Sequence, residues 1–281
     1  MARGESAWSG GVADVPRILC QPGGGKSCGA CCGMYNHREA DEAELRARLE
    51  ARTRAFRARC NVSDPETLKA FRALWEDEPG DKLLGELPSC PFLGMLDEGE
   101  TDRVGCMVHP FQNDGVDGRD CGVYDRHTCE DYLCAAHSVM TRDEKWLVLA
   151  ATLDSYVYGL VITDVRYVRE LFMLAARTNG AMPMGKALGR EGVLEAARAY
   201  FELKRDWPFR AADGVFGQVI PGEGLDTPRR PGPSEQVGAE ADVFASALRC
   251  LGTQVGDMSE LEAARVMVAA RVEAFAKAVS V

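Results

Sequence analysis

The sequence predicts a mainly α fold in two parts: an irregular cysteine-rich part, residues 1–137, and a helical region, residues 138–281, that forms a bundle. Three observations predict it. Ten of the eleven cysteines in the 281 residues lie at or before Cys134, and only Cys250 is later. The stretch 87–123 has prolines, glycines and Asp/Asn between its cysteines and no apolar period long enough to build a core. Beyond Cys134, apolar residues recur at helical spacing between recognisable caps.

The elements follow in order. Residues 1–19 have no period, and Ala13 to Leu19 reads as a short extended lead-in behind a loose Arg/Gly/Ser-rich start. Gly25-Lys26-Ser27 resembles the end of a phosphate-binding loop, but the glycine that pattern requires five residues earlier is Cys20. Gln21 to Ser27 therefore reads as a flexible approach to the cysteines. Inserted helices are expected over about 37–78. In the first, Leu45, Leu49 and Phe56 share a face, and Glu42–Arg46, Glu44–Arg48 and Glu50–Arg54 are acid-before-base pairs at i,i+4. Arg46, Arg48, Arg52, Arg54, Arg57 and Arg59 read as its solvated face, with Cys60 a packed thiol at its end. Ser63-Asp64-Pro65-Glu66 starts the second, which runs to about Glu76 before Pro79-Gly80 breaks it.

In the second half, Thr141-Arg142-Asp143-Glu144 is a capping box opening a helix to about Leu160. Further helices are expected at about 164–177, 191–206, 239–251 and 259–280. The last has a box at Ser259 and Glu262, with Leu261, Val266, Val268, Val272 and Phe275 as apolar positions. A Pro/Gly-rich loop is expected at about 207–238.

Composition narrows the function classes. The net charge of −10 argues against a dominant nucleic-acid role, because phosphate contact needs clustered positive charge. The longest apolar run, Trp146 to Leu153, is far short of the ~20 residues of a membrane span. Residues 1–20 carry Arg3, Glu5, Asp14 and Arg17 and lack an apolar signal core. A cytoplasmic location is expected, with a protein or small-molecule partner rather than a membrane. In a reducing cytosol a cysteine framework points to metal or catalysis before disulfides.

The strongest signal is Ser27-Cys28-Gly29-Ala30-Cys31-Cys32-Gly33. A C-x-x-C step turns the chain so that two thiolates face one ion, and the doubled cysteine aims a third sulfur elsewhere. Thiolates select zinc, copper(I) or iron–sulfur centres over magnesium or calcium. The best ligand set is Cys28, Cys31, Cys32, Cys90, Cys106, Cys121, Cys129 and Cys134, with Cys20 as a ninth. His109, three residues after Cys106, is the best mixed-ligand candidate, and His137, three after Cys134, is next. Eight sulfurs suit two four-sulfur zinc sites, two iron–sulfur clusters, or one centre with spare thiols; nine suit a bridged multi-zinc cluster. Metal cross-links would hold the irregular part together. Cys60 and Cys250 sit in helical patterns and read as core thiols.

Cys28-Gly29-Ala30-Cys31-Cys32, then Cys90-Pro91-Phe92-Leu93, then Cys121-Gly122-Val123-Tyr124 with Arg126 and Cys129 resemble the bacterial YkgJ-type cysteine-cluster family, described as a zinc- or iron-chelating domain. The resemblance covers about residues 20–137. Gly25 stands where the family has a further cysteine, which Cys20 can replace through the glycine loop. Arg126-His127 stands for the family's Arg-Pro, Cys106-Met107-Val108-His109-Pro110 adds a second cysteine step, and the stretch from Cys32 to Cys90 is an insertion. The resemblance implies metal binding and no particular reaction.

Three functions follow. The first is a cytosolic protein chelating zinc or iron through the cluster, with the metal structural or electron-transferring. The second is an iron or iron–sulfur oxidoreductase with a substrate between cluster and helices. The third is a thiol-redox or metal-storage protein.

Overall fold

Helix α1, Glu42–Arg59, opens on the Asp41 carboxylate, which accepts the Glu44 amide, and ends at Cys60. Acidic residues in its first turn and basic residues in its last suit the helix dipole. Leu45, Leu49 and Phe56 are buried, as the period predicts. Arg52, assigned to the solvated face, is buried too: its guanidinium donates to the Cys90 and Leu93 carbonyls and lies over the Trp75 ring. This computed structural model describes residues 15–37, 41–75, 82, 83, 85, 88–97, 101–212 and 231–280. The loose start at residues 1–14, the Pro79-Gly80 break and much of the Pro/Gly-rich loop fall outside them.

Helix α2, Pro65–Trp75, buries Leu68 and Phe71 against Phe56, Phe92, Met107 and Val108 in a small second core. Phe71 and Phe92 stack at 5.8 Å, which fixes the Cys90-Pro91-Phe92-Leu93 segment against α2. An antiparallel pair follows, β1 (Leu93–Met95) with β2 (Val104–Cys106), in a register that sets Leu93 opposite Cys106. Two short helices, α3 (Arg126–Asp131) and α4 (Ala135–Val139), carry the chain into the second half.

Thr141 and Glu144 form the expected capping box of α5, Arg142–Ala151. The single helix expected to Leu160 is two helices, because Asp154 accepts the Val157 amide and starts α6, Ser155–Ile162. An apolar run hides such a break, since residues 146–151 of α5 and all of α6 are buried. Helix α7, Val165–Asn179, ends at Gly180 in the left-handed conformation (φ 75°). Helix α8, Glu191–Phe201, is one turn shorter than expected and continues as a 3-10 turn.

Residues 207–211, expected as loop, are built in. Trp207 is buried and donates to Thr253, and backbone bonds tie Phe209 to Gln254 and Ala211 to Gly252. After α9, Pro233–Gln236, and α10, Ala245–Cys250, the final helix α11, Met258–Ser280, packs on α7 and α8. Its cap is Asp257, which accepts the Glu260 amide, not Ser259. Of its expected apolar positions Val266 is exposed and the other four are buried.

The fold is mainly helical, as predicted. The 137/138 boundary does not separate two cores: Leu19, Met34, Tyr35, Leu93 and Val104 from the cysteine-rich part share one cluster with the helices. Among the described residues no helix is long and apolar enough to cross a membrane.

Candidate metal centre

The stretch expected to be a flexible approach is ordered, and it places the first cysteines. Gly23, Gly24 and Gly25 all take positive φ (90°, 63° and 71°), a run only glycine makes without strain. The chain reverses so that the Cys28 amide donates to the Cys20 carbonyl at 2.9 Å. Lys26 is fully buried; its ammonium donates to the Leu149 and Thr152 carbonyls at the end of α5. Ser27 is buried beside it, with the Val104 amide donating to its hydroxyl. The glycines and Lys26 therefore anchor a turn, with the Lys26 ammonium held by the two carbonyls.

Around Ala30–Cys32, a 3-10 turn, the Cys32 and Met34 amides both donate to the Gly29 carbonyl. Gly33 (φ 84°) then passes so close to Ser89 that an added Cβ would lie 2.7 Å from the Ser89 Cα. That approach lets the Cys90 amide donate to the Cys32 carbonyl at 2.9 Å. Pairing of Leu93 with Cys106 brings β2 to the same place. Cys129 arrives on α3, held by Glu130, which accepts from Arg119 at 2.6 Å. Cys134 precedes α4, whose His137 accepts the Leu19 amide through Nε2 at 3.0 Å and so ties α4 to the strand of chain leading to Cys20.

Eight thiols are thereby gathered from distant segments, and they act on one another. Burial first, and then Cys31 and Cys134, push Cys20 up to about 12. Burial and then Cys20, Cys31 and Cys134 hold Cys28 well above the ordinary thiol range. Cys32 is raised by its hydrogen bond with Cys31, by burial, and by Cys31, Cys90 and Cys106. Burial and Cys90, with Cys129 a lesser contributor, push Cys106 up to about 12. Cys129 is raised by burial and by Cys90 and Cys31. Cys31 alone goes down, to about 7, mainly because Cys32 hydrogen-bonds to it. Such a crowd of thiols resists ionising together unless a cation compensates the charge.

Two expected ligands are set apart. Cys121 lies on a 3-10 turn against α2, and the charges it meets are Lys69, Asp120, Arg72 and Glu66 rather than another thiol. His109 Nδ1 accepts the Phe111 amide, and burial, Arg119, Asp117 and Glu130 set its charge environment. Spacing placed both residues near cysteines in sequence; in the fold Cys121 packs on the small second core and His109 caps the turn at Pro110. Sequence reasoning also missed Arg52 and Arg119, whose charges oppose the upward shifts of Cys90 and of Cys106 and Cys129 respectively. Their only sequence signal is a charge in a helical face and one beside a cysteine.

Cys60 packs in the small second core and Cys250 is buried in the helical core, as read from the sequence. All eleven thiols are free. Among the described residues no three Cys, His, Asp or Glu side chains already converge on one point as metal ligands do. The donor chemistry nonetheless fits a thiolate-loving metal. No protein-family model, curated protein or solved structure matches this chain.

Proposed function

We propose that the protein is a cytosolic metal-binding protein that chelates zinc or iron through its cysteines, the metal serving a structural or electron-transferring role. One observation carries this reading. Segments around residues 20–32, 90, 106 and 129–134 are folded together so that eight free thiols act on one another. A hydrophobic explanation would bury these sulfurs as small apolar groups. Cys31 and Cys129 are instead exposed and the other six are only partly buried. The ligands would be Cys20, Cys28, Cys31, Cys32, Cys90, Cys106, Cys129 and Cys134. Thiolate–metal bonds would cross-link these sequence-distant loops. The motif resemblance to YkgJ-type cysteine-cluster proteins, read from the sequence alone, suggests the same metals; no family model matches the chain.

The test is metal and acid-labile sulfide analysis, with a visible spectrum, on protein purified without oxygen. Colourless protein with stoichiometric zinc, or brown protein with iron and sulfide, supports the reading and identifies the metal. Protein without bound metal that takes up neither zinc nor iron when reduced overturns it.

A further inference from the structure

We infer that the eight thiols form two separate four-sulfur sites, one of Cys20, Cys28, Cys31 and Cys134 and one of Cys32, Cys90, Cys106 and Cys129. This rests on the metal-binding reading and goes beyond it by assigning each sulfur and excluding Cys121 and His109. The backbone makes the division. In the first group the glycine loop brings Cys28 to Cys20 through the amide–carbonyl bond at 2.9 Å. Cys28 and Cys31 are the ends of one C-x-x-C turn, and the bond from the Leu19 amide to His137 draws the start of α4, with Cys134, to the same place. In the second group the Cys90 amide meets the Cys32 carbonyl, and the Leu93–Cys106 pairing sets β2 beside the turn that begins at Cys90. The Arg119–Glu130 ion pair seats α3 and Cys129 against the segment leading from Cys106.

The surroundings differ as well. Arg52 donates to the Cys90 carbonyl beside the second group, and Arg119 pairs with Asp117 and Glu130 there. The first group has the neutral partners His137 and Tyr158 instead; the Tyr158 hydroxyl donates to the Leu19 carbonyl at 2.7 Å. Each site would take one divalent zinc-like ion, releasing four thiol protons to solvent and forming four metal–sulfur bonds.

The experiment uses the full chain, stripped of metal under anaerobic reduction and titrated with cobalt(II), whose thiolate charge-transfer and d–d bands report tetrahedral sulfur coordination. At each addition the remaining thiols are alkylated and mapped by mass spectrometry. Two cobalt ions per chain are expected at the endpoint. Protection should rise in two blocks of four, with Cys121 alkylated throughout. Cys134→Ser should lose one of the two equivalents and unmask Cys20, Cys28 and Cys31 only, and Cys106→Ser should do the same for Cys32, Cys90 and Cys129. An endpoint other than two, or protection that crosses the groups in the unmutated chain, overturns the division while leaving metal binding intact. No cobalt uptake at all overturns both. The block pattern in the unmutated chain decides the matter if a serine variant fails to fold.

Discussion

His137 Nδ1 lies 3.5 Å from the Cys134 sulfur while its Nε2 accepts the Leu19 amide at 3.0 Å. An acceptor at Nε2 leaves the neutral ring's hydrogen on Nδ1, facing Cys134. His137 thus orients a cysteine and closes a contact across 118 residues rather than offering a free ring nitrogen. Burial lowers its pKa below the usual 6.5. A base whose folded pKa is depressed contributes stability that is present above its unfolded pKa and lost as pH falls below it. His137→Ala in metal-free protein is expected to lose about 1 kcal/mol by orphaning the partly buried Leu19 amide. That loss should shrink as pH falls below 6.5. Urea unfolding of both proteins at pH 7.5 and 5.5, with hydrogen exchange at Leu19, checks it. An unchanged Leu19 exchange rate would contradict the assignment.

Lys26 offers a second pH-dependent case, of opposite range. Burial lowers its pKa to about 8 from 10.5. The unfolded chain then binds more protons than the folded one between those values, so Lys26 adds stability as pH rises from about 8 to 10.5. Lys26→Met leaves the Leu149 and Thr152 carbonyls without this donor at the end of α5. A loss of about 1–3 kcal/mol is expected at pH 7. The gap between the two proteins should widen up to pH 10.5. Taking the difference between them in urea midpoints removes the thiols, which titrate in both. A gap that narrows with pH would show that the buried amine is not the titrating group.

What the sequence disclosed was local. The Thr141–Glu144 box and the Gly180 stop are set by residues within one turn, and both stand where expected. The break at Asp154 was hidden because a buried run has no polar face to lose its period. Arg52 looked solvated because its carbonyl partners lie some forty residues away, at Cys90 and Leu93. The candidate site shows the same limit. Cys28, Cys31 and Cys32 were legible from spacing, and Cys20 from its glycine loop. Cys121 has a spacing like that of its neighbours, yet its turn faces α2 through a contact that only the tertiary fold defines.

That contrast predicts an order of effects among single cysteine variants. Cys31→Ser and Cys90→Ser each remove a sulfur from the thiol neighbourhood and should lower both metal per chain and soluble yield. Cys121→Ser and Cys250→Ser should leave metal per chain unchanged. Cys250 is buried with its carbonyl accepting from Lys204, whose ammonium also pairs with buried Asp164 at 2.7 Å. Replacing the buried sulfur by a smaller hydroxyl beside that ion pair costs about 1 kcal/mol in lost packing without touching the cluster. Metal analysis and thermal unfolding of the four variants separate the two effects. Equal metal in all four would defeat the ligand assignment.

Gly33 tests whether the two halves of the second thiol group need the close backbone approach that brings Cys32 to Cys90. Gly33→Ala meets two penalties: a left-handed conformation at φ 84°, worth about 1–2 kcal/mol for a residue with a Cβ, and a clash at 2.7 Å with the Ser89 Cα. A backbone atom cannot swing aside as a side-chain tip does, so the segments must part and the bond between the Cys90 amide and the Cys32 carbonyl lengthen. Gly115 is the matched control, since it has φ 90° and nothing within 4 Å of an added Cβ. Gly115→Ala should show the conformational cost alone. Gly33→Ala should be less stable than that control by at least about 1 kcal/mol and should bind less metal. Equal unfolding midpoints and equal metal content for the two variants would mean that the thiols meet without this contact.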